Sequence, residues 1–377
     1  MESNKLNLDG QLLYIEPKWI TGETCLFNIK DSITYAIAKS KLSKIRQDFI
    51  SRLDNDGFVI TYDKNIKDTI YFIMDESAIC YKEVDINIYK KMFDKKIFEA
   101  GGDKLNYPKS LTMEEFFKNP FFPAVLKNEL MNGGVDKFLI ETPEQLEIIK
   151  KFYNDFSSNN EYVQQLNCSI FQQLIENPTR YKTYMRVLMS ASGDVMGASL
   201  KYSNINEQKR NPKGLLEKYF WDKNSKYYLN CKGMFNYYSN GGNISFSQPR
   251  YSDEKKAILK EHSIDPNNPR IPDEVLEVSS LIAQNCNREL GIMCGIDFIF
   301  NELDKKWYYL EIQAFPAIEE WANTKNIKPI KVNNADDYVK YCALELEARY
   351  DALMLYMKKK SYSNIEEEPK TYQLRLK

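Results

Sequence analysis

Two pairs of apolar runs constrain the fold more than any other feature of this sequence. Tyr184 to Ala191 and Val195 to Tyr202 are separated only by Ser192-Gly193-Asp194. Gly295 to Asn301 and Lys306 to Gln313 are separated only by Glu302-Leu303-Asp304-Lys305. Short apolar runs joined by turn residues read as antiparallel strand pairs. Helices are read at Pro272 to Leu290 and in the amphipathic stretch Ala335 to Lys360. A third lies at Ile33 to Leu53, where Ile37, Leu42, Ile45 and Ile50 fall near one face. Thr142-Pro143-Glu144-Gln145 starts another, with Thr at the N-cap, Pro at N1 and Gln at N3.

Further strands are read at Leu12 to Ile15, Phe58 to Thr61, Ile70 to Met74, Phe122 to Lys127, Lys137 to Glu141 and Ser169 to Ile175. Asp94 to Phe98 is expected in or near a helix. Residues 204–270, rich in Asn, Lys and Tyr, read as loops with short helices, and the last dozen residues read as a solvated tail. The mixture predicts an α+β (α/β) chain, and 377 residues suggest two or three domains.

Hydrophobic residues make up 43% and charged residues 28%, the ordinary balance of a soluble globular chain. Fifty-two basic against 53 acidic side chains leave a net charge of -1, which points to no nucleic acid and no membrane as partner. Met1 to Gly10 is polar, and no apolar run approaches the ~20 residues of a bilayer span, so a cytoplasmic protein is expected. Seven scattered cysteines without a CxxC pair fit neither a zinc knuckle nor a disulfide framework. The single histidine, His262, sits in a polar segment and is expected to be exposed. One histidine rules out Ser-His-Asp triads and multi-His metal sites. Chemistry must come from Lys, Arg, Asp, Glu and backbone amides, a set suited to nucleotide-dependent enzymes.

Asp297 stands inside Gly295-Ile296-Asp297-Phe298-Ile299-Phe300, and Glu311 inside Tyr308-Tyr309-Leu310-Glu311-Ile312-Gln313. An acid in an apolar strand is costly unless it is paired, hydrogen-bonded or metal-bound. On adjacent antiparallel strands the two can face one side. With the Gln313 amide they make an all-oxygen set that suits Mg²⁺. The plainer alternative is outward charges on a solvated sheet. Because the two acids carry like charge, removing either is expected to leave the metal-free fold intact or more stable. Lys127 ends an apolar strand ahead of Gly133-Gly134, whose amides can cradle a phosphate tail. A hairpin turn with a surface lysine is the alternative. At Leu174-Ile175-Glu176 the backbone can meet an adenine edge and Glu176 a ribose hydroxyl. Arg186, mid-strand, needs an anion: a γ-phosphate, a substrate carboxylate, or a structural ion-pair partner. Neither the P-loop nor GxGxxG occurs.

In series and spacing these features resemble the ATP-grasp superfamily over roughly residues 90–320. The matching pieces are Asp94-Lys95, Pro123-Ala124-Val125-Leu126-Lys127, the glycine loop, the turn Glu141-Thr142-Pro143-Glu144-Gln145-Leu146 and the hinge Gln172-Gln173-Leu174-Ile175. Tyr184-Met185-Arg186-Val187, Gly295 to Ile299 and Leu310-Glu311-Ile312-Gln313-Ala314-Phe315-Pro316-Ala317 complete the series, and the last two are the most specific. Gln313 replaces the family's Asn, Ala317 its final Gly and Gln173 its hinge acid, and the glycine loop is short.

The resemblance implies an ATP-grasp fold: a small N-terminal α/β domain (1–90), one α+β subdomain (91–170), a second (171–330) with a substrate-loop insertion at 204–270, and a C-terminal helix and tail (331–377). It implies ATP and two Mg²⁺ ions. Lys95, Lys127, Gly133, Gly134, Gln172, Gln173, Leu174 and Glu176 would bind the nucleotide, and Asp297, Glu311 and Gln313 the metal. Arg186, Lys201 and Asn243 are assigned to catalysis. The implied activity is carboxylate–amine ligation through an acyl phosphate, releasing ADP and phosphate, with a carboxylate and an amine as partners. A homodimer is compatible with it. Phosphoryl transfer to another acceptor and non-catalytic nucleotide binding stay open as alternatives.

Overall fold

A computed structural model of the chain describes residues 8, 10–15, 17, 32–73, 97, 99–128, 137–156, 169–176, 181–204, 214, 216–231, 241–248, 250–313, 316, 318–328, 330 and 334–366. Three sheets organise them. The first is parallel: β1 (Leu12–Ile15) lies between β2 (Val59–Thr61) and β3 (Ile70–Ile73). Parallel neighbours need a crossover, and α1 (Ser32–Asn55) supplies it between β1 and β2. Phe49 and Leu53 of α1 bury against Leu13, Ile15 and Phe72.

The second sheet is antiparallel, in the order β4-β7-β5-β6: β4 (Ser110–Thr112), β7 (Ser169–Gln173), β5 (Ala124–Asn128) and β6 (Lys137–Ile140). It is covered by α2 (Met113–Lys118) and α3 (Pro143–Asp155). Both helices start at a capping box, Thr112 with Glu115 and Thr142 with Gln145. Its core is aromatic: Phe116, Phe138, Phe152 and Phe171 are fully buried, and Phe116 stacks on Phe171 at 3.8 Å.

The third sheet runs β10-β9-β8-β11-β12 and is antiparallel throughout: β8 (Tyr181–Ser190), β9 (Val195–Asn204), β10 (Gly241–Ser245), β11 (Met293–Asn301) and β12 (Lys306–Gln313). Both hairpins read from the sequence are present, and they meet along β8 and β11. Side chains alternate between the faces of a strand. Met185, Val187, Leu200, Ile244 and Ile296 therefore line one face. Helices α5 (Asp253–Glu261) and α6 (Asp273–Asn285) cover it with Ile258, Val275, Val278 and Ile282, each fully or almost fully buried. Burial of such a side chain is worth about 1.5–3 kcal/mol.

Residues 204–270 do not stay together. The segment from α4 (Glu217–Phe220) to Cys231 puts Phe220, Tyr227 and Leu229 into the aromatic core of the four-stranded sheet, whereas β10 extends the five-stranded one. The helix read as Pro272 to Leu290 is interrupted at Cys286, giving α6 and α7 (Asn287–Leu290). Two further helices follow β12: α8 (Glu319–Thr324) and α9 (Ala335–Glu366). Ala348, Ala352 and Leu353 of α9 join α1, the parallel sheet, and Leu188 and Met196 of the β8–β9 hairpin in one core. No helix among the described residues is long and apolar enough to cross a membrane.

His262 corrects an expectation. It is fully buried, because α5 carries Ile258 onto the sheet and His262 follows one turn later on the same face. Its Nδ1–H donates to the Ile258 carbonyl at 2.7 Å, the Thr183 hydroxyl donates to Nε2, and Phe300 and Trp307 flank the ring. Burial pushes its pKa down to about 4, against the pull of the Ile258 carbonyl. The ring is neutral and structural.

Candidate active site

The other face of the five-stranded sheet carries a polar row beside the apolar patch around Leu188. Cross-strand partners share a face, and the register sets Ser199, Arg186, Asp297 and Glu311 in one row across β9, β8, β11 and β12. Two residues along, Lys201 lies opposite both Asn243 of β10 and Tyr184 of β8. Gln313 stands two residues beyond Glu311, on the same side. Arg186, Lys201, Asn243, Asp297, Glu311 and Gln313 are thus on one face of one sheet, although their positions span more than a hundred residues of sequence.

Arg186 finds its anion inside the protein. Its Nε and Nη2 donate to Oδ1 and Oδ2 of Asp297 at 2.7 and 2.6 Å, and both side chains are almost wholly buried. Desolvation lifts the Asp297 carboxyl above the usual aspartate range, against the pull of Arg186 and aided by repulsion from Glu311 and Glu320. With both oxygens accepting from the guanidinium, the carboxyl is ionised all the same. Of the partners considered for Arg186, the structural ion pair is the one observed. The like-charge expectation for Asp297 is corrected too: its first neighbour is a cation.

Lys201 is enclosed in the same way. It reaches Glu319 Oε2 at 2.6 Å and Glu320 Oε1 at 2.8 Å, and Ser199 Oγ donates to that Glu320 oxygen at 2.7 Å. Glu320 is held below the usual glutamate range because Lys201 and Arg186, together with the Lys201 and Ser199 hydrogen bonds, outweigh its desolvation. Helix α8, which carries both glutamates, lies directly on the sheet. A Cβ at Gly197 would come within 2.4 Å of the Glu320 carbonyl oxygen, and one at Gly295 within 2.7 Å of Pro316. Both positions need glycine for this close approach. Asn243 Oδ1 and Glu320 Oε2 are buried without a hydrogen-bond partner.

Glu311 is different. Its side chain is 40% exposed and looks toward the four-stranded sheet, where Lys137 Nζ stands 3.9 Å from Oε2. Lys127 is directly opposite Lys137 in the register of β5 and β6, and is buried. Desolvation pushes Glu311 up, but Lys137, Lys127 and Arg186 together hold its carboxyl below the usual range. Gln313 Nε2 donates to Glu311 Oε1 at 3.4 Å. The four-stranded sheet thus brings Lys137, with Lys127 beside it, up to Glu311 of the five-stranded sheet.

The segment read from the sequence as a hinge follows β7. Gln172 is buried and its Nε2 donates to Ser110 Oγ at 3.2 Å. Gln173 is exposed, with its amide bonded to the Lys109 carbonyl at 2.7 Å. The Leu174 amide donates to the Pro123 carbonyl at 3.4 Å. Glu176 is exposed, and its carbonyl accepts from the Glu302 amide at 2.7 Å, which ties this segment to the β11–β12 turn. Lys95, Gly133 and Gly134 lie outside the described residues, as do Ala317 and the expected solvated tail.

The donor set on this sheet face fits Mg²⁺ by its chemistry. Asp297, Glu311 and Gln313 each carry an oxygen that can act as a ligand, and a carboxylate has about four lone-pair sites, so Asp297 keeps acceptor capacity beyond its two bonds to Arg186. No group of three or more His, Cys, Asp and Glu side chains suited to a metal occurs among the described residues. A metal ion here would complete its shell with waters and phosphate oxygens.

The sequence reading missed Ser199, Lys137, Glu319 and Glu320. Lys137 opens an otherwise apolar strand, and Glu319-Glu320 is an acid pair shortly after Pro316. Neither signal specifies a partner.

No protein-family model and no curated protein matches the chain. Among solved structures it is similar to the ATP-grasp ligase PsnB complexed with minimal precursor, Mg and ADP, at 12% identity over 89% of this chain and 79% of that one, TM-score 0.38. It is similar to an L-amino acid ligase from Bacillus licheniformis, at 12% identity over 90% and 75%, TM-score 0.35. A third similar structure is the VanG D-Ala:D-Ser ligase from Enterococcus faecalis, at 12% identity over 71% and 61%, TM-score 0.34. At these scores the likeness adds nothing to the site, which stands on this chain's own side chains.

Proposed function

We propose that the chain is an ATP-grasp-type ligase that joins a carboxylate to an amine at the expense of ATP. The observation that carries this reading is the approach of lysines to Glu311. Asp297, Glu311 and Gln313 share one face of the five-stranded sheet, and the four-stranded sheet turns Lys127 and Lys137 toward Glu311. Lysines beside an oxygen-rich sheet face suit a polyphosphate carried with a divalent cation.

Lys127 binds the phosphate tail, assisted by Lys95, Gly133 and Gly134. The hinge at Gln173, Leu174 and Glu176 meets the adenosine, while Gln172 holds β7 to β4 through Ser110. Asp297, Glu311 and Gln313 hold Mg²⁺, which when bound neutralises charge on the phosphates. Arg186 fixes the Asp297 carboxylate in position. Lys201 and Asn243 border the substrate end of the same face, with Lys201 held by Glu319 and Glu320. A substrate carboxylate oxygen attacks the γ-phosphorus, the bond to the β–γ bridging oxygen breaks, and ADP leaves. The amine nitrogen then attacks the acyl carbon, phosphate departs, and the nitrogen loses a proton. Splitting the condensation in this way replaces one uphill step by two feasible ones.

The test is a screen of acids with and without amines, read as phosphate release from ATP. Release that requires both partners is expected. Transfer of phosphate to an acceptor with no amine would make the protein a kinase, and nucleotide binding without turnover would make it a binding protein.

A further inference from the structure

Two buried oxygens beside Lys201 lack a donor. Glu320 is fully buried, and its Oε1 accepts from Lys201 and Ser199 at 2.8 and 2.7 Å. Its Oε2 has no hydrogen-bond partner among the described residues, and neither has the buried Oδ1 of Asn243. Asn243 stands directly across from Lys201 in the register of β9 and β10, so both oxygens border the same lysine. Leaving a buried acceptor unsatisfied is costly, and more so when it is charged. The charge is unbalanced in the same sense. Arg186 is bonded to Asp297, and Lys201 is bonded to both Glu319 and Glu320, so among the described residues the two glutamates share one ammonium. Desolvation opposes ionisation of Glu320, but Lys201, Arg186 and the Lys201 and Ser199 hydrogen bonds outweigh it and hold the group below the usual glutamate range. A neutral donor would meet the two oxygens and leave the charge unbalanced. An ammonium group, with its three N–H donors, answers both needs. The Glu319 side chain is 38% exposed and Asn243 is partly exposed, so this corner borders solvent.

We propose that Glu320 and Asn243 form a seat for a primary ammonium group of a substrate, beside Lys201. The seated group is not the nitrogen that forms the new bond. A carboxylate raises the pKa of an ammonium that it holds, and a protonated nitrogen has no lone pair with which to attack. The seat therefore recognises a second, non-reacting nitrogen, carried either by the acid or by the acceptor amine. Ser199, which bonds Glu320, stands two strands from Asp297 in the same row, about 10 Å away, a span that a small substrate can bridge. The assignment rests on the ligase reading and deepens it: one substrate is an amino acid or a diamine, not a plain acid or a monoamine.

Matched substrate pairs test the seat in the full-length protein, read as phosphate release from ATP with Mg²⁺. The acid pair is 4-aminobutyrate against butyrate, and the amine pair is 1,4-diaminobutane against butylamine, each assayed across the same set of partners. In one pair the member with the extra ammonium should win by about tenfold or more in kcat/KM, since it alone pairs with the buried carboxylate. Preference in the first pair puts the cation on the acid, and preference in the second puts it on the amine. Glu320→Gln should abolish that preference and lower kcat/KM for the ammonium-bearing member about tenfold, with KM for ATP within about threefold of wild type. Where Glu320→Gln melts early, Asn243→Leu on the edge strand β10 must show the loss alone: a higher KM for the ammonium-bearing member with kcat unchanged. Wild type that uses butyrate and butylamine as well as their counterparts overturns the proposal and leaves the ligase reading standing. A preference that survives in Asn243→Leu and in a folded Glu320→Gln does the same. Wild-type protein that releases no phosphate with any combination overturns both.

Discussion

Replacing Asp297 with Asn should destabilise the metal-free protein severely, the reverse of what charge repulsion between two neighbouring acids suggests. The substitution keeps the shape and removes the charge. It leaves the Arg186 guanidinium, with a side chain 8% exposed, without the carboxylate that accepts its bonds at 2.7 and 2.6 Å. Stranding one member of a buried ion pair costs about 3–5 kcal/mol. If the two large sheets unfold as a unit of about 200 residues, that lowers the midpoint of thermal unfolding by roughly 10 °C. Glu311→Gln is the matched control. Glu311 is 40% exposed and its lysine is 3.9 Å away, so its loss should change stability by less than ~1 kcal/mol. Urea melts of both variants, without metal or nucleotide, measure the contrast. Arg186→Met with Asp297→Leu removes both charges and should recover most of the loss, because apolar replacements of a buried pair are tolerated. An Asp297→Asn protein as stable as wild type, or a double variant no better than Asp297→Asn, would refute the claim that this pair is held as a buried unit.

Three further outcomes follow from the same geometry. His262 has a folded-state pKa of about 4, below the unfolded value, so its contribution is complete above pH ~6.5 and is lost as pH falls toward 4. Between pH 7 and 5 wild type should therefore lose about 2 kcal/mol more stability than His262→Gln in urea melts, and equal losses would contradict the buried neutral ring. Gly197→Ala puts a methyl within 2.4 Å of the Glu320 carbonyl oxygen and must displace α8; a loss of about 1–3 kcal/mol is expected, together with reduced turnover. Lys127→Ala should weaken ATP binding at least tenfold, more than ~1.4 kcal/mol, and an unchanged calorimetric affinity would remove Lys127 from the phosphate site.

The polar row of the large sheet was legible only in part. Asp297 and Glu311 interrupt apolar runs that a four-residue turn makes adjacent. Regular pairing from that turn would set Asp297 opposite Leu310, and only the shift in register between Asp297 and Phe298 brings Glu311 opposite it. The Thr142 cap and the two hairpins were readable from local rules. Partners set by tertiary contact were not. Asp297 is 111 residues from Arg186, and Glu319 is 118 from Lys201. No local pattern reports such pairings, so the partners of Arg186 and Lys201 could not be named from the sequence. β10 escaped because Gly241-Gly242-Asn243-Ile244-Ser245 has one large apolar residue and little strand propensity, and only its pairing with β9 makes it a strand. His262 was misjudged because its immediate neighbours are polar, while the residue that decides its burial, Ile258, is a helical turn away.

The central claim is that a substrate carboxylate takes the γ-phosphoryl group before the amine reacts, and isotope transfer tests it most directly. An acid labelled with ¹⁸O in its carboxylate is incubated with ATP, Mg²⁺ and the amine, and the released phosphate is analysed by mass spectrometry. One label atom per product formed should appear in the phosphate, with ADP as the nucleotide product. Product that forms with unlabelled phosphate, or with release of AMP, would contradict the account.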